Sequence, residues 1–187
     1  MMKLLSSILL IFTILFASCD GKERARYTHK EKLEQSKLSE SFFEQETYYP
    51  EHYSEVVTDT IFSSGYHIKL KLYSDMNTSV LKEFKKDTIN YKHHFRNFKG
   101  ELIINLNGKE ILNRTIDKSQ FSNKKNDAFW QQAILGNIVL DHENSNDNEV
   151  LLYAFYRIPK SNQYKDFKII VTSQGFMKIE ELTAHIL

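Results

Sequence analysis

The chain has 187 residues, of which 41% are hydrophobic and 26% charged, a balance typical of one ordinary globular domain with polar extensions. Its 25 Lys and Arg side chains nearly equal its 24 Asp and Glu side chains, so no basic excess supports nucleic-acid binding. A single cysteine excludes an internal disulfide bond, so the domain must be held together by its core.

The first predicted element is a signal peptide. Lys3 precedes an apolar run over residues 4–16, and the small residues Ala17 and Ser18 lead into Cys19. A helix of that length covers about 20 Å, which is too short for a hydrocarbon core of about 30 Å. The run therefore indicates an export signal rather than a membrane span. The alternatives are an ordinary secreted protein cut near Ala17 and an uncleaved N-terminal anchor.

Residues 16–19, Phe-Ala-Ser-Cys, resemble the lipobox of bacterial lipoproteins. The resemblance implies transfer of diacylglycerol to the sulfur of Cys19, cleavage before Cys19, and acylation, such as palmitoylation, of the new N-terminus. Phe16 departs from the pattern, which most often has Leu there, and relaxed lipoboxes of this kind resemble those of Bacteroidetes lipoproteins. Two or more acyl chains hold a protein stably on a membrane. We therefore expect a cell-envelope protein that is lipid-anchored to the outer (or inner) membrane and faces the periplasm or the cell surface.

A polar segment follows the predicted anchor. Stretches such as 22–26 and 31–37 are charged and have no sustained apolar face, so they cannot offset the entropy of ordering. We expect a signal peptide over 1–18, a lipidated cysteine and flexible tether over 19–54, and a globular domain over 55–187. Aromatic residues cluster where the tether meets the domain. We expect them to pack against its edge, and the alternative is an exposed platform for a sugar or partner protein.

Alternation of apolar and polar residues dominates the predicted domain. Residues 66–72 alternate strictly, and residues 55–62 are rich in β-branched side chains, so residues 63–65 are predicted to join two strands in a hairpin. Asn107-Gly108 lies between two further apolar runs, at 100–106 and 109–116. Because these two residue types accept positive φ, they predict a type I′ hairpin.

One helix is expected next, with Asn126 or Asp127 as its N-cap, residues 128–135 as its body and Gly136 as its end. Strands are then predicted in two further pairs, within 137–158 and within 166–182. Because strands and helices do not alternate, the pattern predicts a mainly β fold. We expect an antiparallel β-sandwich or open barrel with one short helix, after a flexible N-terminal tether.

Sequence motifs for chemistry are sparse. His93 and His94 are adjacent, and neighbouring side chains on a strand point to opposite faces, so the pair does not predict a zinc site. Oxygen-bearing side chains recur at alternate positions in the loop 141–149, and the weak calcium candidates are Asp141, Glu143, Ser145 and Asp147. The sixth and twelfth positions, Asn146 and Leu152, do not match an EF-hand. We therefore expect no metal and no cofactor.

A catalytic motif is likewise missing from the sequence: it contains no Gly-x-Ser-x-Gly and no glycine-rich phosphate loop. The segment 91–99 mixes basic and aromatic residues, which would suit an acidic polymer, although a strand with a basic outer face explains the same pattern.

The arrangement of strands, Asn107-Gly108 and Phe129-Trp130 over residues 55–182 resembles a Bacteroidetes lipoprotein domain family of unknown function. That resemblance implies a small β-rich domain and provides no catalytic residues. We therefore expect a non-catalytic envelope lipoprotein that binds a partner protein or glycan, held at the membrane through the lipid on Cys19. The alternative is a cell-envelope hydrolase with a carboxylate- or histidine-based site.

Overall fold

The computed structural model describes residues 28–29, 31–32, 44–121 and 127–182. The predicted signal peptide, Cys19 and most of the predicted tether lie outside the described residues. Strands make up 67% of what is described, so the expected mainly β fold is confirmed. Within the described part of the chain, no helix is long and apolar enough to cross a membrane.

The chain divides into two compact units, one made of residues 46–85 and 91–187 and the other of residues 1–45 and 86–90. In the second unit, Thr28 and Glu31 form a capping box. The Glu31 carboxylate accepts from the Thr28 backbone N–H at 2.7 Å, and the Thr28 hydroxyl accepts from the Glu31 N–H at 3.3 Å. A helical turn therefore begins inside the segment predicted as a tether.

The described residues form two β-sheets. Strands of the first are β1 (Glu44–Tyr49), β2 (Glu55–Ile61), β3 (Tyr66–Lys86), β4 (Ile89–Leu106) and β5 (Lys109–Ile116). Their order is β1-β4-β3-β2, and β5 also pairs with β4. The predicted β2–β3 hairpin is confirmed as antiparallel, and the predicted β4–β5 turn has positive φ at both Asn107 (51°) and Gly108 (82°).

The second sheet is an antiparallel meander. Its strands, in spatial and chain order, are β6 (Ile134–Asp141), β7 (Glu149–Arg157), β8 (Tyr164–Thr172) and β9 (Met177–Leu182). Alternate side chains of β7 and β8 are fully buried, while their neighbours lie on the outer face.

The core lies between the two sheets, as in a β-sandwich, and the sheets do not close into a barrel. Its largest fully buried side chains come from both layers: Tyr66, Ile68, Leu102, Ile104 and Ile116 from the first sheet, and Leu135, Val150, Leu152, Tyr156, Ile169 and Val171 from the second. The predicted alternation at 66–72 therefore supplies one layer of this core.

The helix is shorter than the sequence predicts. It is α1 (Ala128–Gln132), and its N-cap is Asp127, whose carboxylate accepts from the Phe129 N–H at 2.8 Å. Ala133 is already extended, with ψ at 146°, and the next residue starts β6. The prediction of helix over 133–135 is wrong because Ile134 and Leu135 pair with β7 and bury their side chains between the sheets. Asn126 lies outside the described residues.

Three strands extend beyond the predicted pattern. β1 falls inside the range 19–54 that the sequence assigns to anchor and tether, and pairs with β4. β3 and β4 continue well past the residues that alternate, and β2 reaches only as far as Tyr73 of β3. Beyond Tyr73, the remaining residues of β3 are not paired with β2.

Candidate functional site

His93 and His94 lie on opposite faces of β4, as their adjacency predicts. The His93 ring packs among four aromatic rings, those of Tyr49, Phe84, Tyr91 and Phe95. The His94 ring stacks on Tyr48 at 4.5 Å, and its Nε2 lies 2.7 Å from a carboxylate oxygen of Glu46. The two imidazoles therefore do not converge on one metal ion.

His93 accepts a hydrogen bond from a lysine. Lys160 Nζ lies 2.6 Å from His93 Nδ1, and because an ammonium group only donates, Nδ1 is the unprotonated nitrogen. The same ammonium sits 4.9 Å from the ring centroid of Phe84, a cation–π contact. Burial, and then the nearby Lys160 charge, lower the pKa of His93.

The basic and aromatic segment 91–99 lies in β4, and internal partners occupy several of its charged groups. Arg96 donates to the backbone oxygens of Pro50 (3.0 Å) and Met76 (2.7 Å), and its guanidinium lies over the ring of Tyr48. Lys99 forms an ion pair with a buried carboxylate, described below. These contacts hold the segment against its neighbours. Because Arg96 and Lys99 have internal partners, they do not form a continuous basic face.

The loop that carries the calcium candidates is organised by its own hydrogen bonds. The Asp141 carboxylate accepts from the backbone and side-chain nitrogens of Asn144, at 3.1 and 2.9 Å. Ser145 Oγ donates to the Asp141 backbone oxygen and accepts from the Leu151 N–H. No cluster of three or more His, Cys, Asp or Glu side chains suited to a metal occurs among residues 28–29, 31–32, 44–121 and 127–182.

Glu143 and Asp147 complete the predicted calcium set. The backbone oxygen of Asp147, rather than its carboxylate, accepts from the Tyr66 hydroxyl at 3.4 Å. Glu143 is exposed. The expectation that this loop holds no metal stays a prediction.

A polar pocket of about 240 Å³ opens where β3, β4 and the segment after β5 meet. Asp75, which is only 8% exposed, accepts from the Thr78 hydroxyl and from Lys99 Nζ, both at 2.9 Å. The Lys99 ammonium holds the pKa of Asp75 below its usual range. Asn97 continues the network by donating to the Thr78 hydroxyl at 3.0 Å. The sequence could not predict this pocket, because its residues come from segments that are distant from one another in the chain.

Lys118 lies at the far end of the same network, in the 3-10 helix Lys118–Gln120. Its Nζ donates to Asn97 Oδ1 at 3.4 Å and to the Ala133 backbone oxygen at 3.3 Å, both neutral acceptors. None of the ion pairs in the described part of the chain includes Lys118. Burial lowers its pKa. The pocket therefore contains one paired lysine and one half-buried lysine without a carboxylate partner.

The outer face of the second sheet carries a set of side chains that we call the outer platform. It consists of Asn137, Tyr153, Phe155, Arg157, Tyr164 and Asp166. The register places Phe155 opposite Asp166 and Arg157 opposite Tyr164, all on the face away from the core. Phe155 and Tyr164 expose 36% and 60% of their surface.

A β-bulge shapes the outer platform. The register of β6 against β7 shifts between Leu135 and Asn137, and the residue inside the bulge is Gly136. A Cβ at Gly136 would come within 3.3 Å of the Phe155 backbone oxygen. Gly136 also lines a depression of about 520 Å³, together with Phe155 and Tyr164.

The sequence contained a signal for this face. Residues 150–156 are apolar at almost every position, whereas a strand with one buried face needs apolar residues only at alternate positions. Leu151, Tyr153 and Phe155 are the extra apolar residues, and of these Leu151 is only 3% exposed. The core explains the other set, which leaves these two aromatic side chains for another role.

Two histidine–carboxylate pairs bear on the hydrolase alternative. His67 Nε2 lies 2.6 Å from Asp59, and His94 lies 2.7 Å from Glu46, but each carboxylate is 49% exposed. The His67–Asp59 pair is exposed, whereas the His94 ring is largely covered by its stack on Tyr48, and neither pair lines the polar pocket. The carboxylates of that pocket, Asp75 and Asp117, are engaged by Lys99 and by the Ser119 N–H.

Together, the fold and surface define a small antiparallel β-sandwich with an exposed aromatic face and a separate polar pocket. A family model described as a domain of unknown function (DUF4738) matches residues 66–179, which is more than half of the chain. The chain therefore belongs to this family. No curated protein matches the chain.

Proposed function

We propose that this protein is a cell-envelope lipoprotein, anchored through acyl chains on Cys19, whose β-sandwich binds a glycan on the outer platform without catalysing a reaction. The observation that supports glycan binding is the row of exposed aromatic rings flanked by hydrogen-bonding groups. Phe155 and Tyr164 are diagonal neighbours across β7 and β8, at a spacing of about 7–8 Å.

The chemistry of a sugar matches this row. A pyranose ring has an apolar C–H face that packs on an aromatic ring, and a rim of hydroxyl groups that needs donors and acceptors. Arg157 offers donors, and Asp166 offers acceptors. Burial raises the pKa of Asp166, and no ion pair in the described residues includes this carboxylate, so its oxygens are available to a ligand.

The geometry favours binding over hydrolysis. Each histidine–carboxylate pair contains a single carboxylate that is 49% exposed, and a glycosidase needs two carboxyl groups facing each other across a cleft. The outer platform carries one carboxylate, Asp166, so it offers stacking and hydrogen bonding instead of paired acid and base.

The proposal is tested by affinity electrophoresis of the mature domain through gels that contain neutral or acidic polysaccharides. We expect at least one polysaccharide to retard the protein, and Phe155→Ala with Tyr164→Ala to remove most of that retardation. Phe176→Ala is the matched control, because Phe176 is 74% exposed in the β8–β9 loop. Equal retardation of parent and double variant, or none with any polysaccharide, would refute glycan binding. Capture of an envelope protein through Phe155 and Tyr164 would replace the glycan with a protein partner.

A further inference from the structure

The polar pocket is separate from the outer platform, and no residue lines both. The proposed function does not explain why a half-buried lysine lines this pocket. Lys118 keeps its ammonium charge among neutral acceptors, Asn97 and the Ala133 backbone oxygen, at long distances of 3.4 and 3.3 Å. A partly desolvated charge without a counter-ion costs free energy that a better-placed acceptor would recover.

The two carboxylates of the pocket already have partners, a cation for Asp75 and neutral donors for Asp117. The Asp75 carboxylate pairs with Lys99 and also accepts from Thr78 and the Asn77 N–H. Asp117 caps the 3-10 helix through the Ser119 N–H at 2.8 Å. Lys118 is thus the pocket cation that forms no ion pair inside the described chain, and an incoming anion would supply a counter-ion.

The size and the walls of the pocket limit the ligand. A volume of about 240 Å³ is below the range of about 300–1,000 Å³ in which drug-sized molecules bind, so one ring fits and a chain of rings does not. Phe98 and Leu135 form an apolar wall, while Asn97 and Thr78 provide hydrogen-bonding groups on the polar side. One face of the ligand is therefore apolar and its edge is polar.

We propose that this pocket binds a single sugar acid, with the ring against Phe98 and the carboxylate accepting from Lys118 Nζ. The carboxylate would replace long contacts to neutral acceptors by a charge-assisted hydrogen bond. Asn97 is placed beside the carboxylate site, because it already accepts from the same ammonium group. This site stands independently of the outer platform.

The test is isothermal titration of the mature domain with glucuronate, with glucose as the uncharged ring and inorganic phosphate as the anion without a ring. We expect binding of glucuronate, and at least tenfold weaker binding of glucose and of phosphate. Lys118→Met, which keeps the length of the side chain, should remove glucuronate binding. Lys178→Met is the control, because Lys178 is an exposed lysine of β9 that pairs with Glu180.

The melting temperature of the variants distinguishes a ligand-binding role of Lys118 from a structural one. We expect Lys118→Met to melt at the same temperature as the parent or higher, because it removes a half-buried charge that has no counter-ion. If Lys118→Met fails to fold, Lys118→Gln takes its place, since an uncharged amide can keep the bonds to Asn97 and Ala133. Failure of glucuronate to bind the parent, equal binding of glucose or phosphate, or unchanged affinity in a folded Lys118 variant would each overturn the proposal. Retardation on polysaccharide gels tests the outer platform separately.

Discussion

His93 couples the stability of the sandwich to pH. Its unprotonated Nδ1 accepts from Lys160, so a proton on this nitrogen would remove the hydrogen bond and place two cations together. The folded state therefore binds a proton on His93 less readily than the unfolded chain does, which agrees with its lowered pKa. A lowered histidine pKa gives stability that is complete above the unfolded value of about 6.5 and is lost as pH falls through the folded value.

We therefore predict that acidification from pH 7.5 to pH 5 destabilises the parent more than the variant His93→Gln. Glutamine can accept from Lys160 without titrating, so the pH-dependent loss assigned to His93 should disappear in this variant. Urea unfolding at several pH values gives the measurement, and His52→Gln serves as the exposed control. Equal pH dependence of the parent and His93→Gln would contradict this account.

At the scale of elements, the β8–β9 hairpin presses against β5. Gly175 in the hairpin loop has φ at +80°, and a Cβ on it would collide with the backbone oxygen of Ile111 in β5. Gly108 in the β4–β5 turn has nearly the same φ, +82°, but a Cβ there would meet nothing within 4 Å. A comparison of the two glycines therefore distinguishes the cost of a left-handed backbone from the cost of a steric clash between the β8–β9 loop and β5.

Gly175→Ala should accordingly cost more than Gly108→Ala. We expect about 1–2 kcal/mol for Gly108→Ala, from the left-handed backbone alone. We expect about 1–3 kcal/mol more for Gly175→Ala, because β5 must also move away. Chemical denaturation of both variants provides the comparison, and equal costs would mean that the loop can shift away from Ile111 without penalty.

For the whole molecule, the predicted anchor and the domain are separable in physical terms. The core that joins the two sheets uses residues between Phe62 and Ile179, far along the chain from Cys19. Acyl chains on Cys19 would decide where the outer platform works, while the core decides whether it folds. The predicted lipoprotein should therefore lose its location and keep its stability when the cysteine is replaced.

Expression of the full chain with Cys19→Ser should move the protein from the detergent phase to the aqueous phase on Triton X-114 partition, with an unchanged melting temperature. Ser18→Ala keeps a small residue before the cysteine and should remain in the detergent phase. Mass spectrometry of the parent should show acyl chains on the mature N-terminal residue. An unmodified thiol at Cys19 would overturn both the anchor and the proposed location.

The structural features that could be predicted from the sequence depend on short segments of the chain. Strict alternation at 66–72 needs only a strand with one buried face, and Asn107-Gly108 needs only positive φ at two positions, so both hairpins follow from short segments. The structure of residues 133–135 does not follow from the local sequence, because an apolar run of that kind suits a buried helix or a buried strand equally. Pairing with β7 decided in favour of the strand.

The sequence by itself determined the mainly β class, the predicted export signal and the hairpin turns, since each depends on neighbours in the chain. Only the tertiary structure decided which aromatic side chains face outward, that Asp75 meets Lys99, and that Lys118 bonds to neutral acceptors instead of a carboxylate. Those facts depend on strands that are distant in sequence lying side by side. A one-residue change of register would exchange the outer platform with the core, so no local pattern could have specified it.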